Sequence, residues 1–199
     1  SRAGWNQGDT EVAVIATGMD YADALSATPL AKKYNAPILL TPQDYLRDNL
    51  IEELKRLKVK KVYIIGGDSA VSKEVEKQLK SLDISFERLQ GKDRYSTSVA
   101  VAEKIGSNRE IVVTTGVNFP DTLSIAPYAA AKGIPILLTH PDNLPLEIES
   151  YISRNRINKS YVIGGTSAVS QEVAVKLPGF ERIEGKDRYG TNIAIMKRF

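Results

Sequence analysis

An internal repeat constrains the fold of this chain more than any other feature of its sequence. When the sequence is shifted by 98 positions, residues 12–79 align with residues 110–177 without a gap, and 28 of the 68 pairs are identical. A further block, GKDRY, stands at residues 91–95 and again at 185–189, a spacing of 94. Identity on this scale predicts that the chain is built from copies of one unit with one fold.

The GKDRY block sets the predicted repeat boundaries. Residues 1–90 are a first repeat that lacks its opening helix, residues 91–184 are a second, complete repeat, and residues 185–199 are the opening helix of a third, truncated repeat. The chain is therefore expected to be a section of a longer array. We also expect the last helix, residues 187–199, to fill the vacant place in the first repeat, in the same or in a neighbouring molecule.

Within each repeat, short apolar runs alternate with helical stretches. In the second repeat we expect strands over residues 111–115, 135–139, 161–163 and 180–183, and helices over 94–105, from 121 and over 146–155, with Asp93 and Ser170 as N-caps. Short apolar strands separated by helices are typical of a parallel sheet buried on both faces, so the two PILLT strands should be core. The predicted fold class is α/β, with about four strands per repeat flanked by helices.

Composition excludes several kinds of site. The chain has no cysteine, and its single histidine, His140, faces Pro42 in the repeat alignment, so neither a disulfide, a thiolate metal site nor a repeated histidine site is available. Net charge is only +3, and basic residues are not concentrated as in nucleic-acid-binding proteins. We expect no metal, no cofactor, no nucleic acid, no membrane span and no catalysis.

Two segments at strand ends are candidate sites. Gly66–Gly67 and its copy Gly164–Gly165 join a strand to a helix, and they either cradle a phosphate on backbone N–H groups or only permit a tight turn. Asp23 with Ser26, copied as Asp121 with Ser124, follows the first strand of each repeat, where open α/β sheets bind ligands. These aspartates are also candidate N-caps. Pro29 and Pro127 should kink the helices that follow.

The GKDRY block is the third candidate. An arginine at the start of a helix opposes the helix dipole, so Arg94 and Arg188 should meet either an internal carboxylate, with Asp23 or Asp121 as the candidates, or an anionic ligand. Lys92 and Lys186 add positive charge immediately before them.

These motifs together resemble the clostridial cell-wall-binding repeat type 2. Its order of G-x-D-R-Y-x-T, a strand ending in T-G, D-A-L-S, P-I-L-L-T and Y-I-I-G-G-x-x-A-V-S is matched across nearly the whole chain, at residues 91–97 and 185–191, 23–26 and 121–124, 37–41 and 135–139, and 63–72 and 161–170. Thr122 stands where that family favours alanine.

The resemblance implies Rossmann-like or toprim-like units, three of which pack around a pseudo-threefold axis. It also implies a secreted protein of the Gram-positive cell surface that is held to the wall by an anionic secondary polymer, with other activities in other parts of the parent protein. The implied polymer-binding residues are Lys92, Arg94, Tyr95, Thr97, Lys186, Arg188, Asp23, Ser26, Asp121 and Ser124.

Two other functions fit the same residues. An α/β enzyme or binding domain for a nucleotide or phospho-metabolite would use the double-glycine turns and would bind a small ligand in one unit. A purely structural module would associate with itself and would bind no polymer.

Overall fold

The computed structural model describes residues 4–199 as two α/β units that follow one another in the chain. The first contains β1 (Val12–Thr17), α1 (Ala22–Ser26), α2 (Thr28–Lys33), β2 (Ile38–Thr41), α3 (Asp48–Leu57), β3 (Lys61–Ile65), α4 (Lys73–Ser81) and β4 (Ser85–Leu89). After α5 (Arg94–Ile105), the second contains β5 (Glu110–Thr115), α6 (Pro120–Lys132), β6 (Ile136–Thr139), α7 (Leu146–Arg154), β7 (Lys159–Ile163), α8 (Gln171–Ala174), β8 (Phe180–Ile183) and α9 (Arg188–Arg198).

Each unit is built on one four-stranded sheet in which every strand pair is parallel. The strand orders are β2-β1-β3-β4 and β6-β5-β7-β8. In the first unit β2 lies beside β1 at one edge of the sheet, and β4 lies beside β3 at the other edge. The strand order therefore reverses between β1 and β3, and the carboxyl ends of these two strands flank that point. Open α/β sheets bind ligands at this point. The predicted α/β class is confirmed, and β8 has the bounds that the sequence predicts.

The caps and kinks were predicted with mixed success. Asp93 and Ser170 accept hydrogen bonds from backbone N–H groups at the starts of α5 and α8, as predicted. Asp23 and Asp121 do not cap: each lies inside the first turn of its helix, and the residue at the N-cap position makes no side-chain cap. In the first unit the predicted kink takes the form of a break at Ala27, which separates α1 from α2. In the second unit α6 is continuous and includes Pro127.

Helix α5 is shared between the two units. Its residues Val101 and Ile105 are buried in the layer between the first sheet and α2. Its residues Val99 and Ala102 are buried in a core layer of the second unit, and Tyr95 packs into the other. The predicted boundary at residue 91 stays a prediction, because the helix that follows it is joined by packing to both sheets.

Helix α9 occupies the place in the second unit that α5 occupies in the first. It packs on α6 and β8, and Ile195, the counterpart of Val101, is buried there. The expectation that this helix fills a vacant place in the first unit of the same molecule is therefore wrong, because it completes the layer nearest to it in sequence.

Helix α5 covers β6 but not β2, and this explains why the two PILLT strands differ in burial. All four residues of β6 are buried, as predicted, and Leu138 is 1% exposed. In β2, by contrast, Leu40 is 56% exposed, so the core prediction is wrong at this residue. The α5 residue Ser98 accepts a hydrogen bond from the backbone N–H of Leu138 at 3.1 Å, and no helix covers the matching edge of β2 among residues 4–199.

The Ser98 contact generates a stability prediction. Ser98→Ala removes the acceptor of a buried backbone N–H on an edge strand and should lower the free energy of unfolding in urea by about 1–3 kcal/mol. Asn192→Ala is the matched control at the same position of α9, where the side chain is exposed. It should be neutral or stabilising by up to about 0.7 kcal/mol, because alanine favours a helix. Equal losses in the two variants would contradict the role given to Ser98.

Candidate functional site

Two clefts open at the carboxyl edges of the two sheets, one in each unit. The first cleft, about 280 Å³, lies between the ends of β1 and β3 and is closed on one side by residues 91–94 of the GKDRY block. The second cleft, about 320 Å³, has the same place in the second unit and is closed by residues 185–188. Both therefore lie where the strand order reverses, and both use a GKDR segment that follows the fourth strand.

A hydrogen bond from the glycine of each GKDRY block to a threonine two residues beyond the block holds that segment in place. The hydroxyl of Thr97 accepts from the backbone N–H of Gly91 at 3.0 Å, and Thr191 accepts from Gly185 at 3.1 Å. The cap residue Asp93 accepts from Ser96 N–H at 2.8 Å. The spacing of glycine, aspartate and threonine thus closes the turn onto the helix and points the basic side chains at the cleft mouth.

The aspartate of each cleft packs against the double-glycine turn. Gly66 and Gly164 adopt φ values of +98° and +100°, and a Cβ on either would overlap the carboxylate of Asp23 or Asp121. The N–H of Gly66 donates to Leu89 O within the sheet edge. The first glycine of each pair is therefore required by its backbone conformation and by the carboxylate that packs against it. The tight-turn interpretation is the one that this geometry favours.

Burial changes the titration of these aspartates. Burial, reinforced by the charge of Asp20, raises the pKa of Asp23 to about 6, and Arg94 acts in the opposite direction. Burial also raises the pKa of Asp121, with Arg188 opposing it. Burial thus disfavours the ionised form of the aspartate in each unit, and it does so most clearly at Asp23.

Arg94 meets an internal carboxylate, but a different one from those expected. Its Nη2 donates to Asp20 Oδ2 at 2.8 Å, and its Nη1 donates to the carbonyl of Gly116 in the second unit at 2.6 Å. Asp20 lies in the loop after β1, three residues before the expected partner Asp23. Arg94 thus ties the two units together at the mouth of the first cleft.

Most of the candidate residues line the two clefts. Lys92, Arg94, Thr97 and Asp23 line the first cleft, and Lys186, Arg188 and Asp121 line the second. Three lie outside the cleft linings. Ser26 and Ser124 donate to carbonyls of Asp23 and Pro120 close by in the chain, and Tyr95 is buried against the second unit with its hydroxyl 3.2 Å from His140 Nδ1.

Sequence reasoning missed one pair of arginines that supports the clefts. Arg88 donates to the carbonyls of Gly66 and Val71, both at 2.8 Å, and Arg182 donates to the carbonyl of Gly164 at 2.8 Å. Each reaches from the fourth strand beneath the double-glycine turn. The only signal in the sequence is the repeated FER at residues 86–88 and 180–182, which by itself predicts a strand.

Neither a candidate metal centre nor a membrane-spanning helix is found among residues 4–199. Residues 4–199 contain no group of three His, Cys, Asp or Glu side chains placed to share a metal ion. None of the helices in the same range is long and apolar enough to cross a membrane.

Comparison with known proteins finds the same unit elsewhere. The family model described as cell wall binding domain 2 matches residues 3–76 and 88–174. The N-acetylmuramoyl-L-alanine amidase LytC of Bacillus subtilis is 41% identical over 89% of this chain, and the amidase enhancer of the same organism is 38% identical over all of it. The chain spans only 36% and 27% of the lengths of these two proteins.

Solved structures agree with the sequence matches. Cwp8 from Clostridium difficile superposes with a TM-score of 0.91 over the whole chain, and Cwp6 from the same organism with 0.89 over 96% of it, each at 32% identity. The chain corresponds to 35% of the Cwp8 chain and 32% of the Cwp6 chain.

The glycine geometry predicts an asymmetry within each double-glycine turn. Gly66→Ala should lower the free energy of unfolding by about 2–4 kcal/mol, because it combines a left-handed backbone with displacement of the Asp23 carboxylate. Gly67→Ala is the control one residue later. Its nearest neighbour would be the Gln90 side chain at 3.4 Å, so it should cost less than about 1 kcal/mol. Urea denaturation measures both, and equal losses would contradict the packing explanation.

Proposed function

The chain belongs to the cell wall binding domain 2 family, and from that premise we propose how it binds the wall. The resemblance read from the motifs is confirmed, and so is the predicted function at the level of the family: the chain is a non-catalytic cell-wall-binding module of a surface or wall-associated protein. The proposal concerns the ligand, its site and the arrangement of the repeats.

The proposed ligand is an anionic secondary wall polymer that carries phosphate groups. The observation that carries this proposal is the position of a lysine and an arginine from one GKDR segment at the mouth of each cleft. A guanidinium fork matches two oxygens of a phosphate, and weak contacts that recur along an array of repeats gain by avidity on a repeating polymer. The parent protein is secreted on this proposal, and its other activities lie in other parts of it.

The nucleotide or phospho-metabolite alternative has less support in the geometry. Such a domain would place phosphate on the double-glycine turn, but Asp23 and Asp121 pack against that turn in the two units. A phosphate there would have to displace a buried carboxylate or lie against it.

The polymer proposal predicts a salt-sensitive interaction with the wall. Arg94→Ala combined with Arg188→Ala should weaken co-sedimentation with purified wall fragments by about tenfold or more at low salt, and rising salt should weaken the unmodified chain. Lys55→Ala combined with Lys176→Ala removes the same charge from exposed positions away from the clefts and should change binding less than twofold. Binding that ignores both the arginines and the salt would exclude the electrostatic mechanism and leave wall binding itself in place.

Neighbouring repeats are the second partner in the proposal. Helix α5 shows what covers a helix of this kind: Tyr95, Val99 and Ala102 are buried against the second unit, and the Tyr95 ring lies on Gly116. The matching face of α9 is apolar and open, with Tyr189, Ile193 and Met196 exposed by 74%, 53% and 76%. We assign this face to another copy of the same repeat.

The complementary surface is present on the first unit. Gly18 and Leu40 are the counterparts of Gly116 and Leu138, and among the described residues no tyrosine ring covers Gly18 and Leu40 is exposed. One surface of each unit therefore fits a different surface of the next, which is a head-to-tail contact. Such contacts close into rings when the rotation between units permits it, and a pseudo-threefold ring of repeats is the arrangement that we propose.

The head-to-tail contact predicts a complementation result. The chain should self-associate at high concentration in analytical ultracentrifugation, and Met196→Glu on α9 or Leu40→Glu on β2 should each weaken association by about tenfold or more. A mixture of the two variants should still form a dimer, since each supplies the intact surface that the other lacks. Val175→Glu alters an exposed apolar residue elsewhere and should have no effect. A mixture that stays monomeric would contradict the proposed docking.

A further inference from the structure

The two clefts share a backbone but differ in charge. Asp20, which accepts from Arg94 in the first cleft, is replaced by Asn118 at the matching position of the second. Arg188, the counterpart of Arg94, is exposed and makes no hydrogen bond or ion pair with any residue from 4 to 199. In the first cleft an internal carboxylate thus accepts a hydrogen bond from the guanidinium of Arg94. In the second cleft no carboxylate among residues 4–199 does so for Arg188.

The same change extends below the double-glycine turn. Arg88 donates from Nε to Glu76 Oε1 at 2.7 Å, and its Nη2 lies 3.8 Å from Asp68 Oδ1. The matching positions in the second unit are Ala174 and Thr166, so Arg182 meets only backbone carbonyls, of Gly164 at 2.8 Å and Ser170 at 3.4 Å. Two further carboxylates are therefore missing around the second cleft.

Three carboxylates remain near the second cleft, and none forms an ion pair with Arg188. Asp187 accepts from Gly190 N–H at 2.8 Å as the cap of α9. Glu184 replaces Gln90 and lies near Gly165, and Asp121 packs on Gly164. The second unit has lost three carboxylates and gained one relative to the first, and the loss includes the one that would reach the arginine.

The lysines do not carry this difference. Lys92 pairs with Glu147 at 2.6 Å, but Glu147 lies on α7 of the second unit rather than in the first cleft itself. Any distinction between Lys92 and Lys186 therefore depends on a neighbouring repeat. Asp20 and Asn118, by contrast, belong to the same unit as the cleft that each lines.

We infer that the second cleft alone is the phosphate-binding site of this module, with Arg188 as its direct ligand and Asn118 as the residue that leaves it open. In the first cleft, Asp20 holds the position on the guanidinium that a phosphate oxygen would take, and a phosphate would have to break a charged hydrogen bond to enter. This inference rests on the proposed function and deepens it, because it assigns the polymer contact to one repeat and gives the other a structural role.

A reciprocal exchange at the two positions tests the assignment. Inorganic phosphate is titrated into the chain, and binding is followed through the backbone amide NMR signals of Gly67 and Gly91 in the first cleft and of Gly165 and Gly185 in the second. In the unmodified chain only the second pair should shift. Asn118→Asp should weaken binding by about tenfold, and Asp20→Asn should make the first pair shift as well.

An arginine variant and a charge-matched control complete the design. Arg188→Ala should weaken phosphate binding by about tenfold, and Lys176→Ala, which removes one positive charge from an exposed position outside the clefts, should leave it unchanged. Amide spectra and urea denaturation of every variant establish that the fold is kept. Equal shifts at both clefts, no shift in the unmodified chain, or unchanged binding by Asn118→Asp would each overturn the assignment.

Wall co-sedimentation of the same proteins separates this inference from the proposed function. If the unmodified chain binds wall fragments in a salt-sensitive way but phosphate does not shift the second cleft, the assignment fails and polymer binding stands. If phosphate shifts the second cleft but wall binding ignores salt and Arg188→Ala, the polymer proposal fails and the phosphate site stands.

Discussion

The packing of one helix, α5, against two sheets is the contact on which the rest of the structure depends. Val101 and Ile105 close a layer of the first unit, while Val99 and Ala102 enter the core of the second. Apolar burial of this kind is the main favourable term in folding, so the two units cannot separate without exposing core residues. The first cleft depends on the same contact, because the GKDR segment that closes this cleft leads directly into α5.

Much of the fold was predictable because the repeat doubles each signal. Apolar runs gave the strands, and the Asp93 cap gave the start of α5. What failed depends on neighbours distant in sequence. Leu40 and Leu138 stand in identical PILLT motifs, yet only Leu138 lies under a helix. Period and propensity describe a strand but do not reveal which edge of its sheet another unit will cover.

The candidate site was predictable in its location and less so in its contacts. The GKDRY block and the strand ends do meet at one cleft in each unit. The partner of Arg94 was missed because Asp20 lies in a loop, where no periodic pattern fixes the direction of a side chain. The double glycines suggested a phosphate cradle, but the first glycine of each pair lies against a carboxylate that only the folded first helix brings there. Repeats with a common ancestor can thus keep the same backbone while their charged side chains differ.

A shared helix also imposes an order on the chain as it emerges during synthesis. The last strand of the first sheet is complete at Leu89, but one face of that sheet is only partly covered, by α2, until residues 94–105 have followed. Once they have, the outer side of the helix is itself exposed until the next sheet is made. During synthesis every completed repeat therefore exposes the apolar outer side of this helix for a time. A protease cut between two sheets would expose the same surface on a mature protein. Tandem arrays of this design favour uninterrupted folding from the N-terminus to the C-terminus over the independent folding of separate domains.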